Sequence, residues 1–564
     1  MVIALGAAAL GGAFDAVPSS GDAPSNVRLP GAATALSGTI SLGEEQVIGA
    51  DTSEPGRDTT LTRRNDGPVP GIAVLVPGEA YVTSNTFALS ARDITLSGYD
   101  NKLIPLSKAI TIENGGGYAA APISITVPVT IPAGSFAMGF YLTANNGLEP
   151  MPLLDESATS ITVASRHFSS FVILALAEAA LPTEIGTGFR ADEDDLQTPN
   201  YGSFLEDGGH CAGQSLTEMW YFTERKAAGA PALWGLTDNN GLGTTPDLWQ
   251  DDAQAYRLAS MVQYDLNWKT LSANLERLMG KAHADSLQWD AFRMAMLVTG
   301  QPQFVGLNET GQDGGHAIVA YAATATGLWV ADPNFPGKLR DIEWNAASQS
   351  FSPYNSGTDA TSSDHHYDRI SFFGKTAFVN WGQIGARWND LAAGVIGDDR
   401  FPLVQAQIEV TAADGTASYQ PLADGPIANA APWLTVEGLS SPVPTLRASF
   451  YLGTTRLGTA NPGKLAQIKL PAGNNDLGVY IEGQNAEGKW HAITFVHFHL
   501  VVPGEVASPT PKVTAKPTAK PTPKATKKPT PTPAGFDCSG PPPGVVPGTI
   551  AYVQWSLHCN AISP

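Results

Sequence analysis

The sequence predicts a multidomain protein: a central α+β domain flanked by two all-β sandwich domains, followed by a disordered Pro/Thr/Lys-rich linker and a small cysteine-containing module. Three observations predict it. Short β-rich runs fill residues 27–180 and 400–505, and 58 glycines with 43 prolines favour turns over long helices. Helical periodicity is concentrated in residues 185–398. Residues 506–535 are low-complexity, and their prolines and like-charged lysines block a packed core.

Residues 1–26 begin MVIALGAAALGGAFDA, an apolar, small-residue stretch like the core of an export signal but without a basic start. Residues 27–180 carry runs such as 123–131 (ISITVPVTI) and 160–163 (SITV), broken about every ten residues by turn formers, as in a β-sandwich. Their end, 167–173 (HFSSFVI), resembles the last strand of sandwich modules in bacterial surface proteins.

In 185–398, helices are expected over 211–223, 251–266 and 287–297, and strands over 303–307, 316–322 and 327–332. Helices first and strands after suggest an α+β unit. Residues 400–505 return to alternation, with strands expected over 404–410, 446–452 and 492–501, as in an immunoglobulin-like sandwich.

The linker 506–535 reads as an extended spacer reaching on the order of 80 Å. Module 536–564 holds two of the three cysteines, Cys538 and Cys559, which read as one disulfide. Closing that loop would stabilise the module by roughly 3 kcal/mol in the chain-entropy model.

A net charge of −20 argues against a nucleic-acid partner, because phosphate contacts need a basic surface. No apolar run reaches 18 residues, so no transmembrane helix is expected. The export-like start and the disulfide place the protein outside the cell or on its surface, by bacterial-type secretion.

The third cysteine, Cys211, follows Gly208-Gly209-His210 and opens a helical pattern. A helix N-terminus favours an anion, so a sulfur there is favoured as thiolate, and the glycines leave the backbone open to a substrate. A thiolate nucleophile needs a base in reach. His316 opens one strand and Asp332 closes the next. A hairpin centred on Thr324 would set the two directly opposite, about 5 Å apart at Cβ. Asp332 could then hold the imidazole's tautomer, as the third member of a triad does.

These pieces resemble the papain-like cysteine peptidase superfamily, within it the bacterial peptidases of the bacteriocin-processing type. The residues that carry the likeness are Gly209-His210-Cys211-Ala212-Gly213-Gln214-Ser215, Gly315-His316-Ala317-Ile318-Val319-Ala320-Tyr321 and Asp332-Pro333-Asn334, with Gly300-Gln301-Pro302 upstream. The resemblance covers about 200 residues. It implies a papain-like central fold, Cys211 as nucleophile, His316 as general base and acid, and Asp332 as the orienter, with Asn334 as the alternative. It also implies a peptide or protein substrate and no cofactor or metal.

One departure concerns the oxyanion. Relatives carry a Gln about six residues before the cysteine, where this chain has Leu205 and Glu206. Asn200 is the first substitute, with Gln197 and Gln214 as others, beside the Cys211 N–H.

Two alternatives use the same observations. One is acyl transfer of the transglutaminase type, compatible with Trp329. The other is a non-catalytic adhesion protein with a degenerate papain-like domain, its sandwiches and C-terminal module gripping a cell-surface or wall component. The segment Asp364-His365-His366-Tyr367-Asp368 reads as a solvated loop in preference to a metal site, and His491, His497 and His499 read as structural.

Overall fold

A computed structural model describes residues 29–503, apart from 63–66, 145–146, 238–247, 251–252, 269, 272–273, 275–283, 313 and 357–365. The export-like segment 1–26, the linker, the 536–564 module and the Cys538–Cys559 pairing therefore lie outside the described residues.

The N-terminal part is built from two sheets. One orders its strands as Gly38–Ser53, Asn85–Gly98, Ala109–Glu113, Ser170–Ala177, Ser135–Leu142 and Leu148–Pro150. The other runs Leu153–Ser157, Ser160–Ser165, Ile123–Pro128, Ala73–Val76, Thr59–Thr62. Alternation sets their faces: in Ile123–Pro128 the isoleucines and Val127 are buried and the residues between them are less so.

A central sheet follows, ordered Ser350–Phe351, Arg340–Asn345, Gly327–Ala331, Gly315–Thr324, Gln303–Asn308, Arg369–Phe372. Gln303–Asn308 is buried along its whole length and Gly315–Thr324 nearly so. Successive side chains point to opposite faces, so both faces of these strands are covered. The covers are helices. Cys211–Trp220 docks through Ser215 Oγ, which donates to Ala317 O at 3.1 Å. Asp285–Thr299 packs Phe292 edge-on to Phe372. Helices Ala253–Leu266 and Trp381–Ala392 lie beside the first of these.

Two further sheets make the C-terminal part, one around Val404–Thr411 and Trp433–Gly438, the other around Leu446–Leu452, Gly473–Gln484 and Trp490–Val502. Phe204 N donates to Ala492 O at 2.9 Å, and Trp249 stacks on Tyr451 at 4.1 Å, joining this part to the central one.

The expected fold class is corrected here. Strands take 42% of the described residues and helix 16%, in many sheets, and no α+β papain-like core is evident among them. The chain is a β-rich, multi-sheet, multidomain protein. In the central segment the helices of 211–299 precede the strands of 303–372 along the chain, but they pack on those strands and do not form a half of their own. The helices are 10 to 15 residues long and serve as covers. One continuous apolar cluster runs from Leu61 of the N-terminal sheets through Phe292 and Ile318 to Ile493. The misreading has a physical source. Periodicity over 211–297 is strong, whereas strands such as Ser350–Phe351, Tyr354–Asn355 and His366–Tyr367 are two residues long and carry no period.

No helix among the described residues is long and apolar enough to cross a membrane.

Candidate active site

Cys211 is the first residue of its helix. The turn before it needs Gly209, whose φ is 108° and where a Cβ would stand 2.9 Å from the Asn200 side-chain amide. Asn200 accepts the His210 N–H at 2.5 Å and donates through Nδ2 to Asn334 Oδ1 at 3.1 Å. It thus clamps the cysteine loop to the segment after Asp332.

The first turn of a helix leaves backbone donors unpaired. Here Gln263, from the neighbouring helix, accepts the N–H groups of Ala212 and Gly213 at 3.0 and 3.2 Å. The close helix approach rests on Gly213, where a Cβ would meet Ala259 O at 1.9 Å. The Cys211 N–H finds no partner among the described residues.

His316 sits at the second position of strand Gly315–Thr324, and Asp332 directly follows strand Gly327–Ala331. The expected direct opposition is corrected. Thr324 pairs with Gly327, and a bulge at Tyr321 brings Val319 opposite Ala331. Continued by one pair, that register puts Asp332 opposite Ile318, so His316 and Asp332 are diagonal neighbours on one face. It is the distal ring nitrogen, Nε2, that meets Asp332 Oδ1, at 2.7 Å. The other ring nitrogen, Nδ1, makes no bond to Asp332, and the Cys211 sulfur lies close enough to the ring to raise its pKa.

All three side chains are buried: Cys211 is 5% exposed, His316 3% and Asp332 2%. Burial pulls the His316 imidazole towards neutrality, but the Asp332 carboxylate and the Cys211 sulfur outweigh it and push its pKa up to about 10. Asp332 is pulled the other way. Burial raises its carboxyl, and His316 with a set of hydrogen bonds lowers it below its ordinary value. Those bonds occupy both oxygens. Oδ1 also accepts the Asn334 N–H at 2.8 Å, and Oδ2 accepts the hydroxyls of Tyr354 and Ser356 at 2.8 and 2.7 Å. Arg340 Nε donates to the Tyr354 hydroxyl at 3.2 Å.

Of the sequence-predicted residues, Cys211, His316 and Asp332 come together. Asn334 does not contact the imidazole; its side-chain amide donates to Ser356 and accepts from Asn200. The expected oxyanion donors have other work: Asn200 Nδ2 is held by Asn334, and Gln214 Nε2 donates to Thr198 O at 2.7 Å. Gln197 is buried in the segment before Thr198. His210 points away from the triad, with Nδ1 on Ser260 Oγ at 2.9 Å, and burial pushes it down to about 3, so it is neutral.

Sequence reasoning missed Tyr354, Ser356, Gln263 and Tyr367. The last stacks on His316 with ring centroids 6.0 Å apart and planes 20° from parallel. It lies in the Asp364–Asp368 segment read above as a solvated loop; the adjacent aromatic and histidine residues were the available signal. His497 is tied structurally, between Asp476 and Trp249 O.

The arrangement supplies a sulfur at a helix N-terminus, an imidazole held by a fixed carboxylate, and one backbone donor beside the sulfur. It can carry nucleophilic attack with proton transfer. No family model matches the chain, and no curated protein matches it.

Proposed function

We propose that the protein is a cysteine hydrolase, a peptidase in the first instance, exported and acting outside the cell or at its surface. The observation that carries the reading is the bond of His316 Nε2 to Asp332 Oδ1, with Cys211 near enough to raise the pKa of the same ring.

The Cys211 thiolate attacks a substrate carbonyl. The carbon–sulfur bond forms and the carbonyl electron pair moves to oxygen, beside the Cys211 N–H. Collapse expels the amine, which takes its proton from the His316 imidazolium and leaves a thioester. Neutral His316 then removes a proton from water. The water oxygen attacks the thioester, and the thiolate leaves as the acid product forms. Asp332 keeps the ring in place throughout and stabilises the imidazolium. The likeness to papain-like peptidases supports this through motif order and chemistry alone.

Turnover of a diverse peptide mixture, with and without Cys211→Ala, tests the reading. Cleavage that disappears in Cys211→Ala while the fold is retained is the expected result; equal cleavage, or none from either, overturns it. A second reading, a non-catalytic adhesion protein, is favoured by the engagement of the Asn200 and Gln214 amides. It expects surface binding that Cys211→Ala leaves intact, with no cleavage by either form.

A further inference from the structure

A cavity of about 400 Å³ lies where the N-terminal sheets meet the helices Ala253–Leu266 and Trp381–Ala392. Its wall combines apolar side chains, among them Val262, Leu266 and Ile384, with Arg166. None of Cys211, His316 and Asp332 lines it. A concave, largely apolar site with a few placed polar groups, set between parts of a chain, is the usual form of a small-molecule pocket.

Arg166 directly follows strand Ser160–Ser165. Its Nη1 donates to the carbonyls of Leu266 and Phe378, at 3.3 and 3.2 Å, and both residues belong to the cavity wall. Its Nε donates to Ala119 O at 2.6 Å. These bonds use the Nε and Nη1 donors of the guanidinium, and Nη2 has no partner among the described residues. No carboxylate among the described residues pairs with Arg166. The Tyr118 phenol beside it is pushed up to about 12 by burial and stays neutral. Arg387 has no charge to spare, because it pairs with Asp265, Asp390 and Asp399. Asp265, the carboxylate at the wall, has both oxygens held by Arg387, at 2.7 and 3.1 Å. A cation drawn out of water favours an anion in reach, and at Arg166 the protein supplies none among the described residues.

We propose that this cavity binds a small monocarboxylate with an apolar body, its carboxylate on Arg166 Nη2 and its body against Val262, Leu266 and Ile384. The proposal does not rest on the chemistry of Cys211. A charge-assisted N–H···O bond fixes one end of the ligand, and burial against the aliphatic wall holds the other. Two sources share that chemistry: the C-terminal residue of a peptide and a free aliphatic acid.

Titration calorimetry of the full chain at pH 7 tests this with N-acetyl-L-leucine and octanoate, each beside its uncharged amide. The first acid stands for a peptide end and the second for a free aliphatic acid. At least one acid is expected to bind, with its amide about 10- to 100-fold weaker, as loss of a hydrogen bond to a charged group implies. The acid that binds more tightly names the source. Arg166→Gln should weaken that acid to the level of its amide and leave the amide unchanged. Arg166 also ties three carbonyls together, so a second variant guards against a folding defect. Gln383 lies exposed at the cavity wall, and Gln383→Trp should fill the space and weaken the acid at least tenfold. Acid and amide binding equally, neither acid binding, or full affinity in Gln383→Trp overturns the proposal.

Discussion

His316 and Asp332 are joined at 2.7 Å although they are diagonal neighbours and not a cross-strand pair. The carboxylate holds the distal nitrogen, Nε2, and leaves Nδ1 without a bond to Asp332.

That pairing should be visible in stability. The folded His316 pKa of about 10 lies above the ~6.5 of an unfolded histidine. The protonated ring thus adds stability that is complete below pH ~6.5 and is lost as pH rises through about 10. Urea unfolding between pH 6 and 10.5 should show this decline in the wild type and a flatter curve in Asp332→Asn. Parallel curves would contradict the ion pair.

The hydroxyls on Asp332 Oδ2 should matter singly. Ser356→Ala and Tyr354→Phe each remove a hydrogen bond to a buried carboxylate, an expected loss of about 1.5–3 kcal/mol. Both variants should also lose stability earlier on acidification. A folded carboxyl held below its unfolded value stabilises above that value and ceases to do so as pH falls through the folded pKa. Denaturation at pH 7 and pH 4 checks both points.

A second carboxylate behaves oppositely. Glu218, on the cysteine helix, is fully buried; Oε1 accepts the Leu196 N–H, and Oε2 has no hydrogen-bond partner among the described residues. Burial, then the neighbouring Asp195, hold its pKa well above the ordinary value. A raised carboxyl stabilises at low pH, and that stability is lost as pH rises through the folded value. Glu218→Gln should therefore gain more stability at pH 8 than at pH 5, measured by urea midpoints. An equal effect at both would count against the assignment.

Gly213 should tolerate no side chain. Gly213→Ala brings a methyl onto the Ala259 carbonyl, and overpacking of this kind costs about 1–3 kcal/mol. The helix must shift, so alkylation of Cys211 should slow as well. Thermal unfolding and labelling rates test the pair of effects.

Much of the site was legible in the sequence because its residues sit at the ends of periodic elements. Glycines before an apolar helical pattern marked Cys211, and two apolar strands bracketed His316 and Asp332. The register was misjudged by two residues, since neither the tight turn at residues 325–326 nor the bulge at Tyr321 has a pattern of its own. Tyr354, Ser356 and Tyr367 come from two-residue strands and their flanks, whose places are set by tertiary contact. The fold class failed because strands spread over many sheets outweigh the helices, and one shared core replaces the expected separate central unit.

The proposed chemistry depends on an activated Cys211–His316 pair. The most direct test is the rate of iodoacetamide labelling at Cys211 from pH 4 to 9, in the wild type and in His316→Ala. An unassisted thiol, with a pKa of ~8.5, is almost wholly protonated at pH 6. Fast labelling at pH 6 that disappears in His316→Ala is the expected result. Labelling that rises only near pH 8 in both proteins, or that requires denaturation, would contradict the account.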